Sequence, residues 1–350
     1  MARYKIALLP GDGIGNDVME AAQIVLDALA LNADFTPAEI GWECWERYGD
    51  ALPEETIAIL RDVDCALFGA ITSKPHVPGY RSPIVRMRQL FDLYTNMRPC
   101  RAYPGNPLNY RNDIDIVVFR ENTEGLYAGV EFYPVPDAIM GVQGMERYQG
   151  EDVAVSLRVF TRKGCRRIIE AAFSYAKHHG RRKVTVVHKA NVVRKTCGMF
   201  LEEAQKVAQQ YPGIEWEDAN VDAMAMWLIK NPQNYDVIVT SNLFGDIISD
   251  ECAQLVGGLG FASAGNIGET LAVFEPTHGS APKYAGMYKV NPMAMLLSVK
   301  LMLDWLEEKR HASRLEAAIA KIVEDGVHRT YDMGGSSTTL QVAEAVAREL

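Results

Sequence analysis

Short apolar runs rich in β-branched residues alternate along this chain with longer stretches of helical period, and that alternation limits the fold most. Residues 5–9, 65–68, 114–119, 184–187 and 237–239 read as buried strands, and 17–31, 54–62, 161–179, 199–210 and 292–309 as helices. Such a pattern predicts an α/β architecture with a mainly parallel sheet. The 350 residues suffice for about two domains. Residues 103–112 form a turn-rich break, and the Gly/Pro-rich stretch 132–150 reads as a linker or an arm used in subunit contact.

Hydrophobic residues make up 48% and charged residues 23%, ordinary globular usage that argues against disorder. The net charge of −9 excludes a general nucleic-acid or anionic-membrane surface, because such partners need a positive footprint. No apolar run approaches the ~20 residues that span a bilayer. The run after Lys5 is stopped by Pro10, too early for a signal-peptide core. Six cysteines without CxxC spacing read as free thiols, so a reducing, cytoplasmic compartment is expected.

Gly11-Asp12-Gly13-Ile14-Gly15 lies between a strand and a helix but fails the G-x-G-x-x-G fingerprint, since Asn16 and Val18 stand where the third glycine is needed. A tight strand-to-helix turn that needs glycine dihedrals explains it instead.

The cations cluster at Arg81, Arg86 and Arg88, followed by Arg98 and Arg120. Guanidinium groups at strand and helix ends suit a small polycarboxylate through bidentate forks. A solvated basic helix face explains Arg86 equally well, and Ser82 reads as a ligand or as an N-cap with Pro83 first in the helix. Asp246 and Asp250, four apart, share one helix face, with no His or Cys nearby in sequence. Hard oxygen ligation of Mg²⁺ or Mn²⁺ fits them, as does a helix N-terminus meeting acidic charge. Asp222 is a possible third carboxylate. Lys189 follows a strand, where a lysine can face a ligand crevice or simply lie on the surface. The loop from Glu275 to Tyr284 could wrap a nucleotide.

Six stretches, LLPGDGIGNDV, RMRQLFDLYTNMRP, VVFRENTEGLY, HKANVV, SNLFGDIISDE and FEPTHGSAPKYAG, resemble the β-decarboxylating dehydrogenases (isocitrate, homoisocitrate, 3-isopropylmalate and tartrate dehydrogenases) in order and spacing. The resemblance implies a two-domain fold other than the Rossmann fold: residues 1–99 with 252–350 form a large cofactor-binding domain, and 100–251 a small domain carrying the dimer interface and arm. It implies a homodimer with shared active sites. Substrate contacts fall on Ser82, Arg88, Arg98, Arg120 and Asn191, and the acid tyrosine on Tyr127. The metal carboxylates fall on Asp222, Asp246 and Asp250. Lys189 and Asp222 act in proton removal, reaching across from the second subunit. Cofactor contacts fall on Thr72, Glu275, His278, Gly279, Ser280, Ala281, Lys283, Tyr284, Asn291, Tyr331 and Asp332.

Ser82 and Arg81 suit a third carboxylate better than an isopropyl group, whose burial wants an apolar lining. A small tricarboxylate, isocitrate or homoisocitrate, is therefore expected, with 3-isopropylmalate as the alternative. Another is a regulatory subunit of a hetero-oligomeric isocitrate dehydrogenase, a class that tends to lose the catalytic residues kept here. Lys283, Tyr284 and Tyr331 resemble NADP-using members and favour NADP over NAD. A further arginine seen in those enzymes is absent, and Gly334-Gly335-Ser336 stands there.

Overall fold

The computed structural model describes residues 3–74 and 76–350. Its strands are β1 (Tyr4–Gly11), β2 (Ala33–Pro37), β3 (Cys65–Ala70), β4 (Thr95–Arg101), β5 (Asp115–Glu121) and β6 (Glu131–Phe132). They continue with β7 (Val155–Ser156), β8 (Lys183–His188), β9 (Glu215–Asn220), β10 (Val237–Thr240), β11 (Ser263–Ile267) and β12 (Ala272–Pro276). The helices are α1 (Ile14–Leu29), α2 (Trp42–Tyr48), α3 (Glu54–Leu60), α4 (Pro83–Leu90), α5 (Asp137–Met140) and α6 (Arg162–His178). After them come α7 (Arg194–Ala208), α8 (Val221–Lys230), α9 (Asn242–Leu255), α10 (Met293–Trp305), α11 (Lys309–Asp325) and α12 (Thr339–Arg348).

The architecture is α/β. One sheet runs β2-β1-β3-β12-β11-β4-β5-β10-β8-β9. Both flanks are parallel, as the alternation implied, but β12–β11, β11–β4 and β4–β5 pair antiparallel at the centre. Apolar patterning is blind to that reversal, because a strand buried on both faces reads the same whichever way its neighbour runs. The helix expected over 292–309 is two: α10 ends at Trp305, Glu307 turns the chain at φ +58°, and α11 begins at Lys309. The helix expected from residue 199 begins earlier, at Arg194. The stretch 132–150 includes the single turn α5, and β6 ahead of it pairs with β7 into a two-stranded ribbon. All six cysteines are buried free thiols, and no helix among the described residues is long and apolar enough to cross a membrane.

Burial assembles along the sheet in separate clusters. Two are built mainly from the outer thirds of the chain, where α1, α10, α11 and α12 cover β1, β3 and β12. Two are built mainly from the middle, where α6 and α7 cover one face of β5, β8 and β10 and α9 lies on the other. Each fully buried Leu, Ile or Phe contributes about 1.5–3 kcal/mol.

The β1-to-α1 turn shows why glycine is needed there. Gly11 has φ +75°, and a Cβ on it would lie 2.0 Å from the Ala70 carbonyl oxygen of β3. Gly11→Ala is expected to destabilise by at least about 2 kcal/mol, since dihedral strain adds to a backbone clash; a urea midpoint equal to that of the unmodified protein would contradict this.

Candidate active site

Side chains alternate along β4. Asn96 and Arg98 point to the face covered by α9, while Met97, Pro99 and Arg101 line a cavity of about 590 Å³ on the opposite face. That cavity holds none of the predicted site residues. The chemistry collects on the α9 face.

Arg120, 1% exposed on β5, donates through Nε and a terminal nitrogen to Asn242 Oδ1 at 3.0 and 2.8 Å, and its other terminal nitrogen pairs with Asp246. Arg98 donates to Ser249 Oγ at 2.7 Å, Asp250 Oδ1 at 2.9 Å and Asp246 Oδ1 at 3.3 Å. Tyr127 donates its hydroxyl to the other Asp246 oxygen at 2.5 Å, and the Arg120 guanidinium lies 5.0 Å from its ring centre. Gly245 makes this geometry possible: a Cβ there would lie 2.6 Å from Arg120 Cγ, so no larger residue lets α9 settle on the arginine.

The electrostatics follow. Burial, with Arg98 close by, brings Arg120 down to about 10 against the pull of Asp246. Burial would raise the Asp246 carboxyl, but Arg120, the Tyr127 hydroxyl and Arg98 outweigh it and hold it below the usual carboxylate range. Burial and the bond to Asp246 push the Tyr127 hydroxyl up, so it keeps its proton through the neutral range.

Arg88, on α4, is held by residues of β11 and β12. It donates through Nε to Asn266 Oδ1 and through a terminal nitrogen to Glu275 Oε1, both at 2.9 Å. Glu275, expected among the cofactor contacts, is buried and shares that oxygen with Asn266 Nδ2 at 2.7 Å, so the structure engages it in holding Arg88. Ser82 sits at the N-cap of α4 with Pro83 behind it, yet its hydroxyl makes no capping bond. One terminal nitrogen of Arg86 donates to both Asp50 oxygens at 2.7 and 3.0 Å and to the Leu52 carbonyl at 3.2 Å, apart from Arg88, Arg98 and Arg120, so it is a part-buried, ion-paired side chain and not a solvated helix face.

Lys189 stands one residue past β8 and its ammonium pairs with Asp222 in the first turn of α8; the hydrogen bond from Lys189 holds the Asp222 carboxyl below its ordinary range. Asn191 lies in the exposed turn that follows. No hydrogen bond or ion pair among the described residues joins this pair to the Tyr127–Asp246 set.

The donor set fits a hard divalent cation. Asp246 and Asp250 lie on one face of α9, and Asp250 keeps one oxygen free of hydrogen bonds among the described residues. Within one chain no three His, Cys, Asp or Glu side chains among the described residues gather at one point. Asp222 is therefore outside the Asp246–Asp250 pair in a single chain.

The expected cofactor residues fall into two groups. Asp12 accepts from the Thr72 amide at 2.7 Å and the Trp42 amide at 2.8 Å, while the Thr72 and Ser280 hydroxyls meet at 2.6 Å and Ser280 O accepts from Ile14 N–H at 2.9 Å. The Gly11–Gly15 turn thus docks on the loop that carries Gly279, exposed, and Ala281, at φ +34°. His278 Nδ1 lies 3.1 Å from the Gly279 carbonyl, and burial disfavours its protonation. The His278 Nε2 is buried without a partner among the described residues, an acceptor that fits a donor on a bound dinucleotide. In the second group the Tyr284 and Tyr331 rings lie 5.9 Å apart, with the Lys283 ammonium 4.8 Å from one and the Lys289 ammonium 5.1 Å from the other. Asn291 Nδ2 donates to Asp332 at 3.1 Å beside them.

Sequence reasoning missed Asn96, Asn242 and Asn266, which orient the arginines, and also Lys289. Asn242 is second in the SNLFGD run, and its place one turn before Asp246 was its only signal.

The profile of the isocitrate/isopropylmalate dehydrogenase family matches residues 5–346. A 3-isopropylmalate dehydrogenase from Methanothermobacter thermautotrophicus is 47% identical over 350 residues, covering 100% of this chain and 99% of its own. An isocitrate/homoisocitrate dehydrogenase from Thermus thermophilus is 45% identical, covering 99% and 98%. The crystal structure of isocitrate dehydrogenase from Methylococcus capsulatus superposes with a TM-score of 0.91 at 41% identity, covering 99% of both chains. The chain belongs to the isocitrate/isopropylmalate dehydrogenase family, decarboxylating oxidoreductases that act on a CH–OH group with NAD(P) and a divalent metal.

Proposed function

We propose that this enzyme oxidises a 2-hydroxy-tricarboxylate, isocitrate or homoisocitrate, to a 2-oxo acid and CO₂, with NADP as the favoured hydride acceptor. The observation that carries the reading is the convergence of buried Arg98 and Arg120 with Tyr127 on Asp246, alongside Arg88 and an uncapped Ser82 at the start of α4. Three guanidiniums bind two or more carboxylates, and Ser82 offers a polar contact for another. The half-buried Ile84 and Val85 beside Ser82 favour the second reading, 3-isopropylmalate.

Asp246, Asp250 and the partner subunit's Asp222 would hold Mg²⁺ or Mn²⁺. When bound, the metal supplies Lewis acidity at the substrate hydroxyl and the nicotinamide takes the hydride. Lys189, as the free amine, accepts the hydroxyl proton, and Asp222 stabilises the ammonium that results. Arg88, Arg98 and Arg120 fix the carboxylates so that the one lost as CO₂ departs next to the oxidised carbon. Tyr127, which retains its proton, delivers it to the carbon left behind.

The division into 1–99 with 252–350 and 100–251 is supported by the two pairs of core clusters. A homodimer is supported by exposed Met226 and Ile229 on α8, Ile247 on α9 and the exposed tyrosines Tyr133 and Tyr148 around α5. Lys283, Tyr284, Tyr331 and Lys289 offer two ammoniums and two phenols to a 2′-phosphate, so Lys289 supplies charge where the arginine is lacking.

The test is a Mg²⁺- or Mn²⁺-supplemented assay of isocitrate, homoisocitrate and 3-isopropylmalate, each with NADP and NAD. The expected result is a higher kcat/KM for a tricarboxylate and for NADP, abolished by EDTA. A preference for 3-isopropylmalate or NAD overturns the corresponding part.

A further inference from the structure

We propose that His188 and Asp218 are positioning residues for Lys189: they lock the turn that carries it, so that its ammonium is presented to Asp222 as a preassembled pair. This rests on the proton-transfer role proposed above for Lys189.

The buried His188 ends β8. Its Nδ1 lies 3.0 Å from the Ala190 backbone nitrogen. A backbone N–H can only donate, so Nδ1 is the bare acceptor and Nε2 carries the proton. That proton is donated to Asp218 Oδ2 at 2.9 Å. The turn therefore dictates the tautomer, and the tautomer commits the ring to Asp218.

Asp218 belongs to the neighbouring parallel strand β9, where Val186 faces Asp218 and His188 faces Asn220. Lys189 follows His188 directly, and Asp222 lies just past the end of β9. The His188–Asp218 bond thus ties the two strands immediately before each delivers one member of the ion pair.

The main chain of Lys189 is held from its other sides too. Its N–H donates to Cys197 Sγ at 3.3 Å, and its carbonyl accepts from Val192 and Val193 at 3.1 and 2.8 Å. The Arg158 guanidinium donates to the same sulfur at 3.3 Å. With both backbone groups engaged, only the side-chain torsions of Lys189 remain free, and the contact with Asp222 fixes their far end. A loosened turn costs alignment at the proton, and misplacement by about 1 Å costs up to about 100-fold in rate.

The test compares two replacements that each keep half of the ring's bonding. His188→Gln retains a donor toward Asp218 and loses the acceptor for Ala190 N–H. His188→Asn places an oxygen near the Nδ1 position and releases Asp218. H188Q is expected to lower kcat about 10- to 100-fold, with the KM for the 2-hydroxy acid within about threefold and an unchanged melting temperature. H188N should recover only part of that loss, because it restores the Ala190 bond but leaves Asp218 released.

Because the effect runs through Lys189, H188Q should cause no further loss when added to Lys189→Met. Asp218→Ala alters a half-exposed side chain and reads the same coupling if H188Q does not fold. Equal fractional losses with and without Lys189, or an H188Q kcat within twofold of the unmodified enzyme, overturn the positioning role. Full turnover by the Lys189→Met enzyme itself overturns the proton-transfer role first, which separates the two failures.

Discussion

Lys189→Met should cut turnover by about a thousandfold, within the range a positioned proton-transfer group supplies. Methionine keeps the stem and loses only the ammonium. The freed Asp222 carboxylate is largely in water, so it needs no new partner and the fold should stand. The backbone bonds of residue 189 to Cys197, Val192 and Val193 do not involve the side chain and should survive. A variant within tenfold of the unmodified enzyme, with an unchanged circular dichroism spectrum, would remove Lys189 from the reaction.

Tyr127→Phe is the companion, with an expected loss of about 100- to 10,000-fold. The hydroxyl donates to Asp246, whose other oxygen still pairs with Arg98 and Arg120, so the carboxylate stays compensated without it. Since burial and Asp246 raise its pKa, Tyr127 holds its proton at pH 7–9, and a fall in rate at alkaline pH below about 10 should come from another group. Turnover within tenfold of the unmodified enzyme would refute the assignment.

The two variants together test the shared site. If Lys189 serves the partner subunit's Tyr127, a heterodimer of K189M and Y127F chains holds one intact site and one doubly altered site. Equal co-expression should return about a quarter of full activity, because half the dimers are mixed and each has one working site. No recovery from confirmed heterodimers would place Lys189 and Tyr127 of the same chain in one site.

Much of the site was legible because its residues carry chemistry that a core does not require. Arg88, Arg98 and Arg120 are expensive to bury, and the structure buries all three with carboxylate or amide partners. Asp246 and Asp250 repel unless something cationic joins them, and Arg98 bridges them. Other roles were not legible. Glu275 read as part of a nucleotide loop, yet it is buried against Arg88, which lies 187 positions away in sequence. Arg86 and Arg88 look alike in sequence, but two positions on a helix turn them to different sides, and only Arg88 meets Asn266 and Glu275.

The sequence by itself determined the α/β class, the failure of the Rossmann fingerprint and the residue types of a cation-rich pocket in an acidic protein. These follow from local properties: periodicity, glycine placement, and the cost of burying charge. Only the tertiary structure decided the antiparallel centre of the sheet, the amides that aim the arginines, and the arrival of Lys289 beside Tyr331. Those depend on strand direction and long-range register, which the period-2 pattern of a strand does not encode. Contacts between residues far apart in the chain are settled by packing, and packing is a property of the whole fold.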